Sequence, residues 1–357
     1  MAEFVAGAGE VRAEDSFDAA VVAEWLRDNA SDASGLDGAP QVQQFSGGAS
    51  NLTYLLRWPS RDLIVRRPPA GTKAKGAHDM GREYRIQAAL APVYPLVPPM
   101  VGYCADESVI GSEFYVMERL DGLILRRDIP AGIGLDTEAE RGALCAALVG
   151  ALADLHDADL GATGLQELDR GPEYVARQVG GWSERYSRAR TEDVGDFEAV
   201  MFWLSEHQPA DRPHTMIHND FRFDNLVLDH AEPVRVVGVL DWELATVGDP
   251  LMDVGSALAY WAQADDPEAI QAIRLQPTNA PGMWTRDQVW AAYGARRGLA
   301  VSESERRFYE LFGTFRLAVI AQQIYYRFFH GQTTNPKAGM MGQFVRILDA
   351  RCTELLP

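Results

Sequence analysis

One loop constrains this chain more than any other feature of the sequence. The stretch IHNDFRFDNLVLD, residues 217–229, holds His218, Asp220 and Asn225 in close succession. A carboxylate in such a loop suits the orientation of an attacking hydroxyl, and an amide oxygen suits magnesium held against nucleotide phosphates. We therefore interpret Asp220 as a candidate base and Asn225 as a candidate metal ligand. Taken alone the pattern is weak, because Asp and Asn also favour turns and helix caps.

A second acidic motif makes this interpretation more specific. Asp241 ends an apolar run sixteen positions after Asn225. Residues 226–228 and 234–240 predict two strands, joined by a turn at 229–233. Such a hairpin would bring Asp241 back beside Asn225. Two oxygen ligands for magnesium would then face one gap, an arrangement typical of phosphoryl transfer.

These motifs resemble the catalytic loop and metal-binding Asp of the aminoglycoside phosphotransferase and choline kinase group, which has a protein-kinase-like fold. The resemblance covers roughly residues 40–355 and, at 315–333, is closest to the branch related to the kinase domain of acyl-CoA dehydrogenase fusion proteins. It implies an α+β fold, with a small antiparallel β-sheet lobe at 1–119, a mainly helical lobe at 120–357, and the site between them. The chain departs from the group at Asn219, where glycine is usual. Asn is the residue after glycine that best tolerates positive φ.

The amino-terminal part resembles the glycine loop of the same group. Ser46, Gly47 and Gly48 precede Ser50 and Asn51 between two predicted strands. The glycines allow the backbone to approach a phosphate closely, and the polar side chains offer donors. A hairpin turn without a ligand explains the two glycines equally well.

The resemblance also assigns further nucleotide-binding residues. Arg66 stands where the fold places its phosphate-contacting Lys, and Glu83 resembles the helix glutamate that pairs with it. Arg66 could instead be a surface arginine, or Arg67 could be the true equivalent. Glu83 could instead be a solvated glutamate. The strand EFYVMERLDG resembles the hinge, where backbone groups of three residues would bind adenine: Met117, Glu118 and Arg119.

Composition excludes several classes of protein. The 357 residues are 47% hydrophobic and carry a formal charge of −18, so a folded chain with two lobes is expected and nucleic acid is not a partner. Three cysteines without C-x-x-C spacing predict buried thiols rather than a disulfide framework. The most apolar stretch, residues 143–155, is too short to span a bilayer. We expect a cytoplasmic protein that is not inserted in a membrane.

Several segments outside the motifs support weaker predictions. Residues 17–29 predict an amphipathic helix capped by Ser16. His156, at the end of a long apolar helix, is interpreted as a packing residue. Asp253 is interpreted as a helix cap or as a brace of the catalytic loop. Residues 276–282 predict a mobile connection.

A polar stripe interrupts an apolar helix near the carboxyl end. At roughly 100° per residue, Arg316, Gln323 and Arg327 fall within about 40° of one another. A polar stripe on a buried helix should face a partner or a wet cleft. We predict that it binds an anionic substrate group, whereas pairing within the lobe, with Asp249 or Asp253, is the alternative.

Together these features predict an ATP- and Mg²⁺-dependent phosphotransferase acting on a hydroxyl of a small molecule. No Walker-type motif is present, so nucleotide binding would follow the kinase-like route. The fusion-protein branch implies a hydroxyacyl-CoA acceptor as an alternative. A second alternative is a non-catalytic nucleotide-binding scaffold, against which Asp220, Asn225 and Asp241 argue. The acceptor, the choice of ATP over GTP and the oligomeric state stay open.

Overall fold

The computed structural model describes residues 7–45, 51–69 and 79–357. The chain divides into two compact units, Met1–Asp121 with Gly238–Glu243, and Gly122–Val237 with Leu244–Pro357. The first contains an antiparallel sheet and the second is mainly helical, which confirms the predicted α+β class. The glycine-loop residues Ser46, Gly47, Gly48 and Ser50 lie outside the described residues.

The sheet of the first unit has six strands that pair in the order β1-β2-β3-β4-β6-β5. All neighbouring strands are antiparallel. In chain order the strands and helices are β1 Ala8–Gly9, α1 Ala19–Asn29, β2 Gln41–Phe45, β3 Leu52–Arg57, β4 Asp62–Arg67, α2 Met80–Leu90, β5 Met100–Cys104 and β6 Phe114–Glu118.

Both faces of this sheet are buried, because α1 and α2 contribute to different core clusters. Successive side chains of a strand point to opposite faces. One face packs with α1 and includes Tyr54, Leu56, Leu63, Val65 and Val116. The alternate positions pack with Met80 of α2 and include Leu55, Ile64, Tyr115 and Met117. This alternation decides which way each polar side chain of β4 points.

The start of α1 differs from the prediction. The helix begins at Ala19, with Asp18 rather than Ser16 as its N-cap, and the Asp18 carboxylate accepts a backbone N–H of the first turn at 2.9 Å. Phe17, predicted inside the helix, packs edge-on against Tyr54 with ring centroids 4.9 Å apart. Ser16 and Asp18 are both residue types that cap helices. With Asp18 as the N-cap, Phe17 lies outside the helix, where its ring packs against Tyr54.

The second unit contains nine α-helices among its described residues. They are α3 Glu138–His156, α4 Leu160–Thr163, α5 Tyr174–Ala189, α6 Glu198–Glu206, α7 Pro250–Ala259, α8 Glu268–Ala272, α9 Arg286–Arg297, α10 Glu303–Phe329 and α11 Pro336–Leu355. The long α10 packs against α5, α7 and α11. None of the helices in the described parts of the chain is long and apolar enough to cross a membrane.

Short strands carry the loop on which the site depends. β7 Thr215–Ile217 pairs antiparallel with β10 Thr246–Gly248. β8 Leu226–Leu228 pairs with β9 Val236–Val239, so the predicted hairpin is confirmed. The division between the two units falls inside β9, after Val237.

Two glycines allow α7 and α10 to approach closely. A Cβ on Gly255 would overlap the backbone of Tyr309, and one on Gly313 would overlap the carbonyl oxygen of Gly255. A larger residue at either position would therefore push the helices apart. This contact brings the middle of α10 against the helix that carries Asp253.

Candidate functional site

The loop after β7 begins with a residue in the left-handed region. Asn219 has φ +66°, the kind of backbone angle that glycine adopts freely, so Asn in place of the family's usual glycine is a mild departure. Asn is one of the few non-glycine residues that adopt this conformation readily. Its side-chain amide donates to the carbonyl oxygen of Leu244 at 3.1 Å, which holds the turn.

Asp220 and Asn225 lie together in this loop. The amide nitrogen of Asn225 donates to the Asp220 carboxylate and to its carbonyl oxygen, both at 2.9 Å. Arg222 Nε lies 3.2 Å from the same carboxylate. No donor among the described residues reaches the Asn225 side-chain oxygen. The amide is therefore oriented with its nitrogen on the carboxylate and its oxygen available to another group.

A neighbouring carboxylate shares the Arg222 guanidinium. Asp224 Oδ1 lies 3.2 Å from Arg222 Nε. Burial raises the pKa of Asp224, and the charge of Arg222 opposes that rise. Arg222 thus lies between two carboxylates and limits the directions in which Asp220 can turn.

Asp253 of α7 braces the backbone of the loop. Its two oxygens accept the backbone N–H groups of His218 and Asn219, both at 2.7 Å. His156 Nε2 lies 3.1 Å away. Burial opposes ionisation, but the hydrogen bonds from His156 and from the His218 N–H hold the pKa of Asp253 below its ordinary value. The second of the two predicted roles of Asp253 is the one observed, and Asp249 is the N-cap of α7.

His156 does more than fill space. Its Nδ1 lies 2.7 Å from the Tyr293 hydroxyl. Burial lowers the pKa of His156, so the ring is neutral and carries one proton. With Asp253 ionised, that proton belongs on Nε2, and the Tyr293 hydroxyl donates to Nδ1. The sequence interpretation as a packing residue missed this chain of hydrogen bonds, although the Leu155-His156 pair was its visible signal.

Gln276 is a second residue that the sequence did not reveal. Its side-chain oxygen accepts the N–H of Phe223 at 2.7 Å, and it is fully buried. Residues 276–282 were predicted to be a mobile connection, but Gln276 and Thr278 are both buried. The Gln-Pro-Thr-Asn run has the composition of a loop. Composition does not show whether a loop is buried against the rest of the protein.

In the first unit, Arg66 lies among three carboxylates. Its NH2 atom is 3.1 Å from Asp241 and 3.9 Å from Glu243, and its NH1 atom is 3.8 Å from Glu83. Burial opposes the charge of Arg66, but Tyr115 and these carboxylates raise its pKa above its ordinary value. Its Nε atom is buried and has no partner among the described residues.

Arg67 points to the other face of β4. Its guanidinium contacts the Tyr54 hydroxyl at 3.1 Å and the Asp15 carbonyl oxygen at 2.5 Å, and it lies 5.3 Å from the ring centre of Phe17. These are contacts with α1 and its approach, on the opposite side from Glu83. Strand alternation therefore makes Arg66, not Arg67, the neighbour of Glu83 and Asp241.

Glu83 is buried at the start of α2 and accepts two hydrogen bonds. The donors are Asn51 Nδ2 at 2.8 Å and the Tyr115 hydroxyl at 3.0 Å. Asn51 also reaches Glu243 at 3.3 Å. Burial raises the pKa of Glu83, while the Arg66 charge opposes that rise. The predicted residues Asn51, Arg66, Glu83 and Asp241 are therefore brought together within one unit.

Asp241 has an unusual backbone. Its φ is +67°, which is uncommon for a residue with a side chain. The flanking residues are firmly held, since Val239 donates its N–H to Leu96 at 2.7 Å and Trp242 Nε1 donates to Val239 at 2.8 Å. Such an enforced conformation is often found where a side chain has a functional position.

The predicted hinge lies at the end of β6. Met117 is buried and pairs with Ile64. The backbone N–H groups of Glu118 and Arg119 donate to Pro99 and Asp62, at 2.9 and 3.2 Å. A nucleotide base would therefore need other backbone groups of this segment.

The three residues of the polar stripe have different environments. Arg316 is 5% exposed, Gln323 is half-buried and Arg327 is exposed. Eleven residues of helix separate the two arginines by about 16 Å. No hydrogen bond between stripe residues joins them within the described chain.

The metal-binding potential of the described residues is modest. No group of three or more His, Cys, Asp or Glu side chains in these parts of the chain is arranged to hold a metal ion. Protein ligands for magnesium are commonly only one or two carboxylates, with the rest of the shell from phosphates and water. The predicted ligands, the Asp241 carboxylate and the Asn225 side-chain oxygen, are of this chemical type.

Comparison with known proteins gives consistent results. Over 307 residues the chain is 36% identical to acyl-CoA dehydrogenase family member 10 of Mus musculus, which covers 86% of this chain. The chain spans only 28% of the length of that protein. Among solved structures, a candidate aminoglycoside phosphotransferase from Ralstonia eutropha matches with a TM-score of 0.80 and 32% identity, over 95% of this chain and 98% of its own.

More distant structures share the fold. A thermostable mutant of the aminoglycoside phosphotransferase APH(4)-Ia, in a ternary complex with AMP-PNP and hygromycin B, matches with a TM-score of 0.57 and 14% identity. It covers 94% of this chain and 97% of its own. The predicted protein-kinase-like fold is confirmed by these neighbours. Residues 41–290 match the profile of the Phosphotransferase enzyme family, and the chain belongs to that family.

Proposed function

We propose that the chain transfers the γ-phosphoryl group of ATP to a hydroxyl of a small molecule, with Asp220 as the base. One observation carries this proposal: the Asp220 carboxylate is held by Asn225 and Arg222, while the Asn225 side-chain oxygen has no donor among the described residues. A carboxylate fixed in this way suits a positioned base, and an oriented amide oxygen suits a hard cation.

The proposed reaction is a single displacement. The acceptor hydroxyl gives its proton to Asp220, its oxygen forms a bond to the γ-phosphorus, and the bond from that phosphorus to the β–γ bridging oxygen breaks to release ADP. We assign Asn225 and Asp241 as oxygen ligands of Mg²⁺, which when bound would neutralise charge on the nucleotide phosphates. Arg222 keeps the Asp220 carboxylate oriented throughout.

We assign nucleotide binding to the cluster around Arg66. Its buried Nε lacks a partner among the described residues, as expected of a guanidinium that awaits an anionic ligand. Glu83 lies beside Arg66, and Asn51 donates to Glu83. We also assign nucleotide binding to the predicted hinge at 117–119 and to four predicted loop residues: Ser46, Gly47, Gly48 and Ser50. The AMP-PNP bound to APH(4)-Ia supports ATP as the donor.

The identity of the acceptor has a second candidate. The 36% identity to a protein named acyl-CoA dehydrogenase family member 10 favours a hydroxyacyl-CoA. The candidate aminoglycoside phosphotransferase at 32% identity favours an aminoglycoside-like polyol. Both candidates use the same phosphoryl transfer and differ only in the molecule that carries the hydroxyl.

The test is ATP consumption in the presence of Mg²⁺ and a panel of hydroxyl compounds, including hydroxyacyl-CoA, choline and aminoglycosides. Asp220→Asn should lower kcat by roughly 10² to 10⁴, the range for losing a positioned base, with little change in ATP affinity. Asp224→Asn is the matched control, because it also contacts Arg222. Near-normal kcat in Asp220→Asn would contradict the assignment of the base.

A further inference from the structure

Arg316 is a buried cation without an anionic partner. Its side chain lies on α10 and is 5% exposed, and its guanidinium lies 5.1 Å from the ring centre of Trp182. It forms no hydrogen bond and no ion pair with any residue that the structure describes. By contrast, the buried Arg66 pairs with Asp241 at 3.1 Å, and the buried Arg67 donates to the Tyr54 hydroxyl and the Asp15 carbonyl oxygen.

Burying the Arg316 guanidinium is unfavourable unless an anion pairs with it. An arginine keeps its charge at physiological pH, and a largely buried charge without a counter-charge is unfavourable. Stacking on Trp182 stabilises the guanidinium, but an aromatic ring does not supply the negative charge and hydrogen-bond acceptors of an anion. A buried, oriented and unpaired guanidinium is therefore suited to bind an anionic group from outside the chain.

The competing interpretation, pairing within the unit, does not hold. Asp253 accepts its hydrogen bonds from His156 and from the loop backbone. Asp249 accepts the N–H groups of Arg212 and Leu251 and the hydroxyl of Tyr309. Neither carboxylate forms an ion pair with Arg316. The predicted alternative of an internal pair is thus wrong for the described structure.

The position of Arg316 connects it to the loop that carries Asp220. It lies one turn after Gly313, where α10 meets α7 close to Asp253. The Arg222 guanidinium, which contacts Asp220, lies 4.7 Å from the ring centre of Tyr260. Burial raises the pKa of Tyr260 to about 12; the charge of Asp220 adds to the rise, and those of Arg222 and Arg316 oppose it. The charges of Asp220, the proposed base, and of Arg316 therefore both act on the Tyr260 side chain.

We propose that Arg316 binds an anionic group, a carboxylate or a phosphate, of the acceptor molecule whose hydroxyl meets Asp220. This inference rests on the proposed phosphotransfer and names its acceptor class: a hydroxyl compound with a negative charge, not a cation. Gln323 and Arg327 lie further along α10, so they contact such a molecule only if it is long.

The first experiment observes Arg316 directly. The side-chain Nε–H signal of Arg316 is identified by nuclear magnetic resonance through its absence in Arg316→Gln. Acetate, inorganic phosphate and neutral acetamide are then titrated separately. Saturable shifts with acetate identify a carboxylate site, those with phosphate a phosphate site, and acetamide should cause none. The absence of a saturable shift with either anion overturns the proposal.

Matched variants separate binding from folding. The probe is whichever anion saturates the Arg316 signal. Arg316→Gln should weaken its binding roughly tenfold to a hundredfold, as expected for losing a charged hydrogen-bond donor, and Arg316→Lys less. Arg307→Gln is the control on the same helix, because that side chain is 39% exposed and pairs with Glu303. If Arg316→Gln lowers Tm but binds the anion as the wild type does, Arg316 is structural and the proposal fails.

Nucleotide measurements distinguish a failure of this inference from a failure of the proposed reaction. Mg·ATP binding and turnover are measured on the same proteins, and Arg316→Gln should leave nucleotide affinity unchanged. If the wild-type protein does not bind Mg·ATP, the phosphotransfer proposal fails, whatever the anion titration shows. If turnover prefers a polycationic aminoglycoside to hydroxy acids and phosphorylated polyols, the anionic acceptor is excluded while phosphotransfer stands.

Discussion

The carboxylate of Asp253 accepts the backbone N–H of His218 at 2.7 Å. A side chain on α7 thereby fixes the backbone immediately before the proposed base. The second oxygen does the same for Asn219, whose φ is +66°. An ionised acceptor shared by two successive N–H groups holds this turn more firmly than neutral hydrogen bonds would.

Removing this carboxylate should destabilise the protein and slow the reaction together. We expect Asp253→Ala to lower the free energy of unfolding by about 3 kcal/mol or more, because each hydrogen bond to a charged group contributes roughly 1.5–3 kcal/mol. Urea unfolding measures the effect. Asp154→Ala is the control, because its exposed carboxylate pairs only with Arg296. Equal losses in both variants would show that Asp253 has no special role.

The neutral state of His156 predicts a dependence of stability on pH. Burial lowers the pKa of His156 below its ordinary value of 6.5. As pH falls through 6.5, the unfolded chain takes up a proton that the folded chain does not, so stability decreases toward acid, by up to about 1.4 kcal/mol per pH unit. Above pH 6.5 this effect is absent.

Unfolding measured from pH 7 to pH 5 should therefore be less pH-dependent in His156→Gln than in the wild type. His207→Gln, which alters an exposed histidine, serves as the control and should retain the wild-type slope. A parallel pH dependence in wild type and His156→Gln contradicts a lowered pKa.

Asp241 can be tested without changing its backbone. Asn also tolerates φ +67°, whereas Ala would add strain, so Asp241→Asn removes mainly the negative charge. We expect it to abolish the Mg²⁺-dependent part of ATP binding, because a neutral amide is a poor substitute for an anionic ligand. Calorimetry with and without Mg²⁺ provides the measurement, with Asp106→Asn as an exposed control. Unchanged Mg·ATP affinity would remove Asp241 from the metal site.

The two neighbouring arginines of β4 should respond in opposite ways to one substitution. Lys keeps the charge but loses the planar, multiple donors of Arg. Arg66→Lys should weaken Mg·ATP binding by roughly tenfold with a smaller effect on unfolding. Arg67→Lys should lower stability by about 1–2 kcal/mol, through lost contacts with Tyr54 and Asp15, and leave ATP binding unchanged. The reverse outcome would assign the phosphate contact to Arg67.

Short stretches of the sequence predicted several features of the structure. The hairpin from β8 to β9 follows from two apolar runs separated by a turn, and Asn219 is a residue type that tolerates the positive φ found there. The α+β class was implied by the resemblance of the motifs around Asp220 and Asp241 to a known family, and those motifs are themselves short stretches of sequence. These features depend on residues close together in the chain, and short-range sterics and periodicity determine them.

The sequence alone left Arg66 and Arg67 as alternatives, since both end the same strand. The register of β4 between β3 and β6 fixes which face each side chain occupies, and it places Arg66 rather than Arg67 beside Glu83 and Asp241. The same reason explains the roles of His156 and Gln276, whose partners lie 97 and 53 residues away in the chain. The sequence by itself determined which residue types were present for this chemistry, and the packing of distant segments decided which of them meet.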